Sequence, residues 1–144
     1  MQVREVMTGD VECARPSASI QEAARKMRDL DVGPLPVCGE NDRLVGMITD
    51  RDIVIRAIAE GLDPKSTRIQ DIMTPDVVYC FEDQDLEEAA QLMKESQIRR
   101  LVVLNHDKQL TGIVSLGDLA VKTGDESLSG ETLGHVSEPA LPMR

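Results

Sequence analysis

Sliding the chain against itself by 66 positions gives an ungapped match from Val3 to about Val54. Met7-Thr8 falls on Met73-Thr74, Asp10-Val11 on Asp76-Val77, and Glu22-Ala23-Ala24 on Glu88-Ala89-Ala90. Met27 falls on Met93, Leu35 on Leu101, Gly46 on Gly112 and Asp52 on Asp118. A register this long marks an internal duplication, so the fold must be one that a short unit can build twice. Two copies are too few for a solenoid. They favour two small units related by a pseudo-twofold axis.

Each copy follows the same plan. A short opener with apolar residues at helical spacing (residues 3–7 and 69–73) precedes an extended run (11–14 and 77–81). An amphipathic helix follows, with Ile20, Ala23, Ala24, Met27 and Leu30 on one face, or Leu86, Ala89, Ala90 and Met93 in the second copy. Capping-box spacing marks both starts, Ser19 with Glu22 and Asp85 with Glu88. Two strands then flank a polar turn (35–38 and 44–49; 101–104 and 110–115). A last helix is stopped by Gly61 ahead of Pro64, and by Gly124 in the second copy. The plan is β-α-β-β-α twice, an α/β (α+β) chain. Its divisions are 1–68, 69–124 and an acidic, poorly ordered tail at 125–144.

The chemistry concentrates where the last strand of each copy meets the last helix. In Gly46-Met47-Ile48-Thr49-Asp50-Arg51-Asp52 an apolar strand runs into a hydroxyl and two carboxylates at a helix start. Such a junction converges side chains and backbone N–H groups, and the helix dipole favours an anion there. Thr49 offers a hydroxyl, Asp52 a carboxylate able to hold a pair of sugar hydroxyls, and Arg51 a planar cation for phosphate. Gly112-Ile113-Val114-Ser115-Leu116-Gly117-Asp118 is the weaker copy. The bland alternative is that Thr49, Ser115 and the aspartates only cap their helices.

Composition narrows the partners. One Tyr, one Phe and no Trp leave an aliphatic core, so a flat base would be gripped by aliphatic side chains. A net charge of −10 opposes binding to nucleic acid or to an anionic membrane surface. No apolar run approaches the ~20 residues of a membrane helix and the N-terminus lacks a signal-peptide core, which gives a cytoplasmic expectation. Cys13, Cys38 and Cys80 form no CxxC pair, and His106 and His135 complete no zinc-ligand spacing. No nucleophile has a histidine placed to activate it and no glycine-rich phosphate loop occurs, so an enzyme is not expected.

A duplicated β-α-β-β-α unit with a Met-Thr opener and the junction Gly46-Met47-Ile48-Thr49-Asp50-Arg51-Asp52 resembles the CBS-domain family. Ile98-Arg99-Arg100-Leu101-Val102-Val103 adds to the likeness, which spans residues 3 to about 122. The run from Asp42 through Gly61-Leu62-Asp63-Pro64 is similar to small bacterial and mycobacterial stand-alone two-CBS stress or hypoxia-response proteins. The resemblance implies a non-catalytic regulatory or sensor module, a Bateman module. Its ligand would be an adenosine compound (AMP, ADP or ATP, or an S-adenosyl or NAD-type compound) held in the cleft between the motifs.

On that resemblance Asp52 and Asp118 match the aspartate that holds ribose hydroxyls, and Thr49 and Ser115 the hydroxyl beside it. Val11 and Val77 lie in the segments that enclose adenine, and Arg99 matches a position that often carries a cation reaching phosphate. Arg51 and Arg100, solvated surface charge by default, are candidates for the same anion site from their place beside a helix start. Gly33 stands where the second copy has Arg99, so the two sites should differ. The resemblance also implies a homodimer through the last helices (Ile53, Ala57, Ile58; Leu119, Ala120) and an unidentified regulated protein. It makes the strands carrying Cys13 and Cys38 parallel neighbours, which would place the sulfurs within disulfide reach. Two reduced, buried cytosolic thiols remain the alternative. The competing function is a dimeric stress-response scaffold without a small ligand.

Overall fold

The opener of each copy packs with the other copy. The computed structural model describes residues 1–123, and the expected tail and the Gly124 helix stop lie outside them. Within the described residues, unit 1 joins Met1–Val11 to the chain from Val78 on, and unit 2 is Glu12–Val77.

In unit 2, α1 (Ile20–Leu30) starts at Ser19, whose Oγ accepts a hydrogen bond from the Glu22 N–H at 3.2 Å. It buries Ile20, Ala23 and Met27, whereas Ala24 and Leu30, expected on the same face, are exposed. The helix ends at Asp31 in the left-handed conformation (φ 56°). β1 (Pro34–Cys38) pairs antiparallel with β2 (Leu44–Thr49), Leu35 opposite Ile48. β2 runs directly into α2 (Asp50–Asp52), which continues as a π-helical stretch (Ile53–Ile58) closed by Ala59 N–H donating to Val54 O. Gly61, at φ 75°, stops it as expected. α3 (Ile69–Ile72) completes the unit.

Unit 1 repeats the pattern. β3 (Tyr79–Phe81) lies parallel to β4 (Arg100–Leu104), and β4 antiparallel to β5 (Leu110–Ser115), which runs into α5 (Leu116–Thr123). α4 (Leu86–Ser96) buries all four expected residues, Leu86, Ala89, Ala90 and Met93. The Asp85 side chain, expected as its cap, makes no capping bond. Glu88 N–H donates to the Asp85 carbonyl instead, and the Gln84 side chain donates to the Glu88 carboxylate at 2.7 Å.

The first strand of the first copy shrinks to one parallel bridge, Ala14 with Val37, whereas its equivalent β3 forms a three-residue strand. Two prolines account for the difference. Ala14 N–H donates to Pro36 O and Cys38 N–H donates to Ala14 O. Extension backward needs an N–H from Pro36, and extension forward needs one from Pro16; neither exists. In unit 1 the corresponding residues are Val102 and Glu82, and Glu82 N–H donates to Leu104 O at 2.9 Å.

Both cores are aliphatic. Ala14, Ile20, Leu35, Val37, Ile48 and Ile69 anchor one, and Val3, Met93, Leu101, Val103, Val114 and Leu119 the other. Ala57 and Leu119, expected on a dimer face, are fully buried in these cores, while Val54, Ile55 and Ile58 are about half exposed.

The last strand of each unit is flanked by a Met-Thr segment. Met47 and Thr74 exchange both backbone hydrogen bonds at 2.8 Å, and Ile113 and Thr8 do so at 3.0 and 2.9 Å. Both contacts sit beside a glycine. A Cβ on Gly46 would stand 2.8 Å from Met73 Sδ and 2.9 Å from Thr74 O; one on Gly112 would stand 2.7 Å from Thr8 O and 2.8 Å from Met7 Sδ. Gly112→Ala should therefore cost about 1–3 kcal/mol, the usual range for overpacking, in urea unfolding. Gly117→Ala, whose Cβ would meet Ser115 Oγ at an ordinary 3.5 Å, should be neutral or mildly stabilising. Equal losses in the two variants would remove the close approach as the reason for Gly112.

Candidate functional site

Each strand-to-helix junction is held by a reciprocal capping box. In unit 2, Asp52 N–H donates to Thr49 Oγ1 and Thr49 N–H donates to Asp52 Oδ2, both at 3.0 Å. In unit 1, Asp118 N–H donates to Ser115 Oγ at 3.1 Å and Ser115 N–H to Asp118 Oδ2 at 2.9 Å. The sequence reading of Thr49, Ser115 and the two aspartates as caps is thus realised in both copies. A carboxylate has about four acceptor sites and the box takes one, so capping and grip on a vicinal diol are compatible.

Asp52 is 12% exposed at its side chain, and its Oδ1 lies 3.8 Å from Arg56 Nε. Arg56 Nη1 donates to Ile72 O at 3.3 Å. Asp50 is exposed; its N–H donates to Gly33 O and its Oδ1 accepts from Arg51 N–H at 2.9 Å. In unit 1, Leu116 N–H donates to Arg99 O, and Arg100 lies directly opposite Ser115 in the ladder. Thr49, Arg51 and Asp52 are therefore gathered at one junction, and Arg99, Arg100, Ser115 and Asp118 at the other. Val11 and Val77 fall outside the strands. Val11 belongs to unit 1 with Asp118, and Val77 to unit 2 with Asp52, the reverse of their sequence copies.

Cys13 and Cys38 are free thiols. The Ala14–Val37 bridge runs parallel between them. Burial, reinforced by the neighbouring Cys13, pushes the Cys38 thiol up to about 12, and burial alone does the same to Cys80. A cavity of about 360 Å³ in unit 2 is lined by the cap pair Ser19 and Glu22 together with residues that carried no motif in the sequence, among them Ser17, Lys65 and Arg68. Asp83, hydrogen-bonded by His106 at 2.7 Å, is held below the usual carboxylate range. Among the described residues no group of three His, Cys, Asp or Glu side chains is placed to hold a metal ion. No helix among them is long and apolar enough to cross a membrane.

The CBS-domain family model matches residues 3–58 and 69–122. This chain belongs to the CBS-domain family. It is 38% identical to hypoxic response protein 1 of Mycobacterium tuberculosis over 117 residues, 81% of each chain. The crystal structure of hypoxic response protein I, with two coordinated zinc ions, superposes with a TM-score of 0.75, covering 83% of this chain and 97% of that one at 38% identity. CBSX2 in complex with AMP superposes at 0.74 with 27% identity over 88% of this chain and 98% of its own. The CBS pair of MJ0100, in complex with 5′-methylthioadenosine and S-adenosyl-L-methionine, does so at 0.72 and 28%, with the same coverage. The expected family and fold are borne out, and this CBS pair is a regulatory module.

The thiols order themselves by exposure. At pH 8 a thiol near 12 is about one part in ten thousand thiolate. Iodoacetamide should label Cys13 first in the native protein and reach Cys38 and Cys80 only in denaturant. Peptide mass spectrometry of the native reaction checks this, and early labelling of Cys38 would contradict it.

Proposed function

We propose that this CBS-domain protein is a non-catalytic cytoplasmic sensor that binds an adenosine-containing nucleotide. The reading is carried by one observation, that a hydroxyl and a carboxylate are locked together at the start of a helix in both units. Asp52 and Asp118 would hold ribose hydroxyls, Thr49 and Ser115 would assist, and Arg99 and Arg100 would meet phosphate. Val11 and Val77 would line the base. The AMP complex of CBSX2 and the S-adenosylmethionine complex of MJ0100 support this class of ligand. Binding would act on an unidentified protein by favouring one of two states of the module.

Thermal unfolding with AMP, ADP, ATP, NAD and S-adenosylmethionine tests the reading. A hundredfold excess over Kd stabilises by about 2.7 kcal/mol, a rise of roughly 5–10 °C for a chain of this size. Asp52→Ala and Asp118→Ala each remove the returning half of a capping box, so each should lower the stability of the unliganded protein by about 1 kcal/mol. The ligand-induced rise, taken from each variant's own baseline, should shrink in at least one of them. No response to any compound would instead favour the dimeric scaffold.

The same reading includes a homodimer. Exposed Val54, Ile55 and Ile58 on the π-helical stretch favour a second copy there. Ile55→Glu should halve the mass measured by light scattering at micromolar concentration. A wild-type protein already monomeric would overturn it.

A further inference from the structure

We propose that the two junctions accept ligands of opposite charge. Unit 1 would take an adenosine compound bearing phosphate, and unit 2 one whose 5′ substituent is neutral or cationic. The inference rests on the ribose-holding role of Asp52 and Asp118 and specifies what each junction takes beyond the ribose.

The duplication places Gly33-Pro34 on Arg99-Arg100 and Asp50 on Leu116. The backbone makes these positions equivalent. Gly33 O accepts from Asp50 N–H and Arg99 O from Leu116 N–H, each at 3.0 Å, while Pro34 lies opposite Thr49 and Arg100 opposite Ser115. Residues directly opposite in an antiparallel ladder project to the same face, so Arg100 shares the face of Ser115. Arg99 and Arg100 are exposed, and neither is in an ion pair among the described residues. Two guanidinium groups beside a helix start are suited to phosphate oxygens.

Unit 2 reverses each of these terms. Gly33 and Pro34 bring no charge, and the buried Leu116 is replaced by the exposed Asp50. A Cβ on Gly33 would stand 3.3 Å from both Asp50 carboxylate oxygens, so the acid occupies the space where an arginine at position 33 would begin. Of the nearby cations, Arg56 is engaged by Asp52 Oδ1 and Ile72 O, leaving Arg51 against the two aspartates. An incoming phosphate meets the Asp50 charge, whereas a sulfonium or a neutral thioether does not suffer it.

Calorimetric titration of the full chain with ATP, adenosine and S-adenosyl-L-methionine at low salt, where exposed charges are least screened, tests the inference. Arg99→Ala/Arg100→Ala should weaken ATP by about tenfold or more and leave the other two within about threefold. Asp50→Asn keeps an acceptor for Arg51 N–H; it should tighten ATP, weaken S-adenosylmethionine and leave adenosine unchanged. If either variant moves all three compounds alike, the charge assignment is wrong while the ribose reading stands. If the wild type binds none of them, the ribose reading fails and takes this inference with it.

Discussion

The contact between a Met-Thr segment and a glycine-bearing strand is what the remaining structure depends on. At Gly46 and Gly112 the crossing chain comes so near that no side chain fits, and the neighbouring residues exchange paired backbone hydrogen bonds. The contact adds one antiparallel bridge to the outer edge of each sheet, at Met47 and at Ile113. It also sets the register of β2 and β5, and thereby the point at which each strand gives way to a helix.

At that point stability and recognition share the same atoms. Thr49 with Asp52, and Ser115 with Asp118, satisfy helix-start N–H groups that would otherwise lack partners. The box also immobilises each carboxylate before any ligand arrives, which lowers the entropy a ligand would otherwise lose in ordering it. A substitution there changes folding and binding together, and only baseline-corrected measurements separate them.

Much of this was legible in the sequence. The repeat, the capping function of Thr49 and Ser115, the apolar face of α4, three of the five residues read on the α1 face and the Gly61 stop follow from local patterns that a short window contains. What was missed is non-local. The exchange of openers leaves no trace in either copy, because Met7-Thr8 and Met73-Thr74 would read the same whichever unit received them. The lost first strand depended on two prolines twenty residues apart, Pro16 and Pro36, whose joint effect appears only once their strands are adjacent. Ala57 and Leu119 were assigned to an outer face because an apolar stripe does not say which side of a short helix meets the core.

The exchanged openers also make the units unequal in the order of the chain. Unit 2 is one continuous stretch, Glu12–Val77, so its contacts close over short separations. Unit 1 is interrupted by the whole of unit 2, and its bridge from Thr8 to Ile113 must close across that insertion. Loop-closure entropy falls as the intervening chain is shortened, and a folded insertion acts as a short tether. Assembly by this route runs from the inside outward, unit 2 forming before the severed halves of unit 1 meet.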